Sequence, residues 1–401
     1  MKIYITGIGV ISAIGNNADE NLSALKNSIS GIKAIQYLDT VHKDRFLAAE
    51  VPFSNEELKL MIPNLENRAP HTRATLLSII AAREAVLDAD LMLDEIENMP
   101  IIGANTVGGM DFTEQHYRDY KTTNPYYFTN THSAGENTKR IADYFGTKAF
   151  VTTISTACSS SANAIILGAR LIKSGRAKRV LVGGSDALTK FSLNGFSSLM
   201  IYDEEVCKPF DANRNGLNLG EAGAFLVLES EEIVGNKKVY AELIGYANHN
   251  DAYHTSASSP DGEGAFLAMN SALEMAELSP AQISFIHAHG TATPNNDESE
   301  SIAIKRVFKS IIPSFASSKS LVGHTLGAAG ALNAIFAIMT QENNFIFSNN
   351  NFQTLMPEGL IPVKSRIDNQ NLDFVMSNAF GFGGNNSTLI FGKKQKGDTD
   401  V

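Results

Sequence analysis

The sequence predicts an α/β fold with largely buried sheets, and three observations carry that expectation. Short apolar strand-length runs, at 100–104, 149–155, 179–183, 224–228, 285–288, 374–377 and 388–391, alternate with apolar-periodic helical stretches at 73–88, 162–174, 265–276 and 327–340. The runs are predominantly apolar, as in strands covered on both faces. A strand entering a small-residue turn and then a buried helix occurs twice, at 151–161 and 315–329, which suggests a duplicated unit.

A chain of 401 residues is long for one domain, so two fused halves are expected. The charged stretch 229–238 is the best internal boundary, giving halves 1–235 and 236–401. The first residues, Met1 to Gly7, read as a strand entering a glycine turn rather than a signal peptide. No apolar run is long enough to span a bilayer, and the expected location is the cytoplasm. With 33 Lys+Arg against 43 Asp+Glu, the net charge of −10 argues against a nucleic-acid or anionic-membrane binder. A local basic patch for an acidic protein partner stays open. Two cysteines, Cys158 and Cys207, in different contexts do not make a disulfide framework.

Cys158 follows the run Thr152–Ala157 and precedes Ser159-Ser160-Ser161 and a helix whose apolar face is Ala162, Ile165, Ile166, Ala169 and Ile172. A cysteine at a helix N-terminus meets unpaired backbone N–H groups that favour the thiolate. Small neighbours leave the sulfur reachable by a thioester. A buried core cysteine fits the same context, and the other motifs have to decide.

In His287-Ala288-His289-Gly290-Thr291-Ala292-Thr293, an apolar strand ends at histidines and a glycine that permits close backbone approach; the polar run Pro294–Asp297 reads as a loop. Thr291 and Thr293 can hydrogen-bond an amide-bearing arm. A His-x-His pair can ligate a metal, but no further ligand cluster has the spacing, and no metal is expected. Lys319 and His324 stand among small residues just before a Gly/Ala-rich helix. Dense small residues are explained by tight helix packing; ionisable groups among them are not, unless paired or used. The alternate glycines of Asn378–Asn386, around Phe380 and Phe382, can aim backbone N–H groups at an oxyanion, although tight turns use the same residues.

Together these segments resemble the β-ketoacyl-acyl carrier protein synthases of the two-histidine class, members of the thiolase superfamily. The resemblance spans nearly the whole chain, including residues 5–12, 182–186, 208–211 and 251–254. It implies a thiolase-like five-layer αβαβα fold of two similar βαβαβαββ halves, usually a homodimer. It implies that Cys158 accepts an acyl group from acyl carrier protein, and that His289 and His324 bind the malonyl thioester carbonyl during decarboxylation. Lys319 would order the histidines, and the N–H groups of Cys158 and Phe382 would hold the oxyanion. Phe382 gates the acyl pocket in that family; Phe380 and Val107 would border substrate, and Thr291, Thr293 and His254 the phosphopantetheine path. Substrates would ride on that arm, with no other cofactor. Arg68, Arg73, Lys121 and Lys208 become candidates for carrier docking, and Asp297 and Glu300 for structural roles.

The chain departs from the family at Asn333, where glutamate usually stands, which puts the Lys319 electrostatics in question. The segment 126–140 is unusually polar for a wall of the acyl pocket, and Val107 replaces the frequent isoleucine, which hints at a specialised acyl chain of a pigment or polyene pathway. A thiolase would carry a second cysteine where Phe382 stands, and a Cys-His-Asn condensing enzyme an asparagine at His324. A cysteine hydrolase has no role for Lys319. A chain-length-factor subunit generally lacks the nucleophile, yet such a chain could be the partner of this one in a heterodimer.

Overall fold

The computed structural model describes residues 1–66, 70–118 and 131–394. The first half comprises β1 (Ile3–Ser12), α1 (Arg73–Asp88), β2 (Ile101–Ala104), α2 (Ala134–Phe145), β3 (Val151–Ile154), α3 (Ser160–Lys173), β4 (Arg179–Asp186) and β5 (Ala222–Ser230). The second repeats the series as β6 (Ala241–Asn250), α4 (Glu263–Ala276), β7 (Phe285–His287), α5 (Pro294–Phe308), β8 (Ser314–Ala316), α6 (Ala329–Glu342), β9 (Phe374–Gly381) and β10 (Asn385–Gly392).

The strand order, β3-β2-β4-β5-β1-β6-β10-β9-β7-β8, reads the same from either end once β6 to β10 are matched to β1 to β5. In each half three neighbouring strands are parallel and two pairings antiparallel. The halves join where β1 meets β6, with Tyr4 opposite Glu242 and Ile5 opposite Ala241.

Adjacent strand residues enter different apolar clusters. Leu181 and Val227 pack outward with Leu77 and Ala85 of α1, whereas Val182 and Leu226 pack inward with Ile165 and Ile166 of α3 and Ile335 of α6. In the second half Ile390 faces Met269 and Ile304 outside, and Leu389 faces the shared central cluster. This two-residue alternation with both faces apolar produces the layers α–β–α–β–α. The central layer is α3 and α6, and α6 is buried at every position from Ala329 to Gln341.

Three local expectations are corrected. β1 runs through Gly7 and Gly9 instead of turning, because a Cβ at either would overlap the Ala85 or Ala81 carbonyl of α1. Those glycines allow close strand–helix approach. Pro294–Asp297 is the first turn of α5, with Thr293 as N-cap and proline at a position that lacks a helical N–H partner anyway. Within 126–140, residues 126–130 lie outside the described residues, while polar groups of α2 find partners inside the fold. Asn137 bonds Ser78 and Ser185, Thr138 accepts from Thr153, and Glu136 pairs with Arg140. Among the described residues, no helix is long and apolar enough to cross a membrane.

The central helices touch at Gly330, where a Cβ would stand 2.5 Å from Ala162 N and 2.8 Å from its Cβ. Gly330→Val should therefore destabilise the protein by about 1–3 kcal/mol through overpacking, read from urea unfolding. An unchanged midpoint would contradict the packing of the central layer.

Candidate active site

After β3 the chain turns at Ala157, whose φ of +52° is a strained value for a residue with a side chain. Ser160 holds the turn: its Oγ accepts from Thr156 N at 2.8 Å and donates to Ala157 O at 2.6 Å. Cys158 thus lies at the head of α3, buried, with its own N–H and that of Phe382 directed at Sγ. Burial outweighs these donors and the nearby Lys319 charge and pushes the thiol up to about 11. The resting group is a thiol, contrary to the thiolate that the helix terminus alone leads one to expect.

The Phe382 loop is tied to this elbow by residues that sequence reading missed. Asn385 Oδ1 accepts from Ser159 Oγ at 2.7 Å, Asn163 Nδ2 at 2.8 Å and Asn248 Nδ2 at 2.7 Å. Its place directly after Gly383-Gly384 was the available signal. Gly381 passes close beneath: a Cβ there would lie 2.9 Å from Thr156 O and 3.2 Å from Cys158 N.

His289 lies two residues past the end of β7, and His324 precedes α6. Their ligand nitrogens and Cys158 Sγ all lie within 4.8 Å of one another, and the two rings meet edge to face at 5.4 Å. Each imidazole has a donor on Nδ1. Leu326 N–H donates to His324 Nδ1 at 3.1 Å, and the Lys319 ammonium donates to His289 O at 2.5 Å and faces His289 Nδ1 at 3.4 Å. With Nδ1 accepting, a neutral imidazole carries its proton on Nε2, so both rings present an N–H to the sulfur side. Burial, and then the Lys319 charge, hold both well below the usual histidine range. Lys319 itself is pushed down to about 8 by burial. The three groups could geometrically ligate an ion, but an ammonium beside His289 opposes a divalent cation. His287, the other half of the His-x-His motif, lies apart, with its ring 5.3 Å from that of Phe347.

Glu300 fixes the His289 turn by accepting from His289 N and Gly290 N, both at 2.8 Å, and Asp297 accepts from Phe210 N and Ala292 N. Asn333 donates to Asn378 O at 3.0 Å, and Asn378 in turn donates to Glu300 at 3.4 Å. A carboxylate at 333 would face that carbonyl, so the amide suits its surroundings.

Two spaces meet at Cys158. A cleft of about 290 Å³ is lined by Thr291, Thr293, Ser256, Asn295 and Phe380, and an apolar chamber of about 420 Å³ by Thr106, Val107, Phe191, Gly195, Leu199 and Leu326. Phe382 borders both and stacks on Phe196 at 5.8 Å. His254 is exposed near the cleft, its Nδ1 accepting from Ser256 N. None of residues 131–140 lines the chamber.

The docking candidates fare differently. Arg68 and Lys121 lie outside the described residues. Arg73 is a correction: it is buried, its guanidinium donates to Glu221 at 2.6 Å and to the Val51 and Phe53 carbonyls, and it cannot meet a carrier. Lys208 is nearer the surface, paired with Glu205 at 2.7 Å. Arg214, not foreseen, donates to Pro294 O at 2.8 Å on the rim of the cleft.

Residues 1–233 match the family described as Beta-ketoacyl synthase, N-terminal domain, and residues 240–353 its C-terminal domain. The chain is 34% identical to 3-oxoacyl-[acyl-carrier-protein] synthase 1 of Haemophilus influenzae, covering 97% of this chain and 98% of that one. Among solved structures, the ishigamide ketosynthase/chain length factor superposes with a TM-score of 0.92 at 31% identity, covering 98% of this chain and 99% of that one. A ketosynthase in complex with its chain length factor from Xenorhabdus doucetiae gives 0.83 at 30% identity, covering 98% of each.

The histidine states can be read directly. In ¹⁵N-histidine-labelled protein, His289 and His324 should show protonated Nε2 and acceptor-type Nδ1 from pH 8 down to about pH 5.5, since both titrate well below the ordinary value of about 6.5. A midpoint near 6.5 in either ring would overturn the neutral state, and a protonated Nδ1 in the neutral ring would overturn the tautomer assignment.

Proposed function

Because the chain belongs to the β-ketoacyl synthase family and is a condensing acyltransferase, we propose that it extends carrier-bound acyl chains through Cys158 by decarboxylative Claisen condensation with malonyl-acyl carrier protein. The observation that carries this reading is the convergence of two buried imidazoles, each with a donor at Nδ1, beside one buried sulfur.

In the first half-reaction Sγ attacks the acyl thioester carbonyl. The Sγ–C bond forms, the carrier C–S bond breaks, and the proton from Sγ ends on the departing carrier thiol. The N–H groups of Cys158 and Phe382 stabilise the oxyanion, and the acyl chain enters the apolar chamber. Malonyl-carrier thioester then enters along Thr291 and Thr293, with its carbonyl on His289 and His324. Loss of CO₂ leaves the bonding pair as an enolate held by the two Nε2–H groups. Its carbon attacks the acyl carbonyl, the Sγ–C bond breaks, and the released thiolate takes up one proton from solvent. Neutral imidazoles suit the enolate step, because each keeps a fixed donor. Lys319 touches no substrate; it sets the His289 tautomer and disfavours imidazolium.

The reading places the enzyme in the cytoplasm with an acidic acyl carrier protein as partner, docked near the cleft rim where Arg214 bonds Pro294, with Lys208 as a further docking candidate. Its substrates arrive on phosphopantetheine and need no metal. A second reading, a pathway-specific ketosynthase paired with a chain-length-factor-like chain, draws on the chamber. Its wall residues Phe191 and Leu199 are 57% and 47% exposed, so a partner surface is wanted there, and two structural relatives are named as such pairs. A homodimer meets the same need. Incubation with a panel of saturated, unsaturated and aryl carrier thioesters, followed by intact mass, distinguishes the accepted chain.

Cys158→Ala should form no acyl-enzyme by intact mass, and a persisting adduct would refute the nucleophile. His289→Ala and His324→Ala should each slow malonyl decarboxylation by about 10²-fold, the scale of losing one preorganised oxyanion donor, while Cys158 acylation falls less. Unimpaired decarboxylation in both would contradict their roles.

A further inference from the structure

Asp186, at the end of β4, is a fully buried carboxylate that the chemistry above leaves unused. It accepts five contacts from four donor atoms: Thr106 N at 3.2 and 3.1 Å, Thr106 Oγ1 at 2.6 Å, Val107 N at 3.2 Å and Gly327 N at 2.7 Å. Every partner is a donor, so only an acceptor can occupy the position. An asparagine would turn an N–H toward N–H groups. Gly327 permits the approach: a Cβ there would stand 2.6 Å from Asp186 Oδ2.

The tethered segments matter. Thr106, Val107 and Leu326 form part of the chamber wall beside Cys158. Leu326 also donates its N–H to His324 Nδ1 and is held at a φ of +51°, in the left-handed region, while the next residue is fixed by Asp186. Leu326 is thus strained between two tethers, one on the catalytic histidine and one on the carboxylate that grips the opposite wall. Burial raises Asp186 to about 6, leaving it ionised at neutral pH, as four donor atoms require.

We infer that Asp186 is a positioning residue that ties the filling of the acyl chamber to the placement of His324, so that decarboxylation proceeds fastest once Cys158 carries its chain. A chain lying against Val107 and Leu326 presses on the clamp, and the clamp sets the N–H that orients the His324 ring. The inference rests on the proposed roles of Cys158 and His324.

The test separates the half-reactions in wild type and Asp186→Asn. Single-turnover acylation of Cys158 is read by intact mass, and malonyl-carrier decarboxylation is measured on free and acylated enzyme. Wild type should decarboxylate faster when acylated. In Asp186→Asn, acylation should stay within about threefold, while kcat for decarboxylation falls about tenfold or more at unchanged KM and loses its dependence on acylation, the scale of a small misplacement of a catalytic group. Equal loss of both steps, or of neither, overturns the inference. Should the variant not fold, hydrogen exchange on wild type decides: acylation should slow exchange in peptides covering both 104–108 and 323–328, and a change confined to 104–108 overturns it. If wild type forms no adduct on Cys158, the proposed function fails first, and the two failures are told apart.

Discussion

An ammonium in a dry interior is the constraint on which the rest of the site depends. Lys319 is 2% exposed and bonded to His289 rather than to a carboxylate, and burial draws its pKa down to about 8. A buried charge of this kind is costly unless it is paired or used. Here it is used twice. It fixes the proton of His289 on Nε2, and with burial it keeps both imidazoles neutral. The surroundings hold negative charge at one remove: Glu300 grips the His289 turn, pushed up to about 7 by burial, and Asn333 contributes only an amide. Ammonium, imidazoles and thiol therefore act as one electrostatic unit, in which altering any member shifts the others.

The duplicated fold brings that unit together. Equivalent strand-to-helix turns, β3 to α3 and β8 to α6, lead into the two central helices, so Cys158 from one half and His324 from the other meet in the middle layer. Both turns store backbone strain at a residue with a side chain, Ala157 in one and Leu326 in the other. Each is held by a polar anchor behind it: the Asn385 network under the cysteine elbow and Asp186 under the Leu326 turn. Small residues at Gly330 and Ala162 let the helices approach closely enough for sulfur and imidazole to meet.

The catalytic candidates were legible because ionisable residues among small, buried neighbours stand out against any pattern of periodicity. Layering was legible too, since strands apolar on both faces need cover on both. What escaped lies in through-space pairing. Arg73 reads as a surface cation at a helix start, yet its partner Glu221 is 148 positions away, and no local pattern links them. β6 alternates buried and half-buried residues and ends in polar ones, so it lacks the continuous apolar signature of its neighbours. The polarity of α2 looked like a ligand surface and is internal hydrogen bonding. For Cys158 the helix terminus was read correctly, but the depth of burial, which dominates the thiol, is a property of the assembled layers.

The central claim is that one buried ammonium sets the working state of His289. The direct measurement is single-turnover decarboxylation of malonyl-carrier thioester by Lys319→Met, a neutral side chain of similar reach, alongside wild type. The account predicts a fall of about 10²-fold with Cys158 acylation largely kept, because His289 loses its fixed donor state while the sulfur and its N–H groups remain. A Lys319→Met enzyme that decarboxylates at the wild-type rate would contradict it.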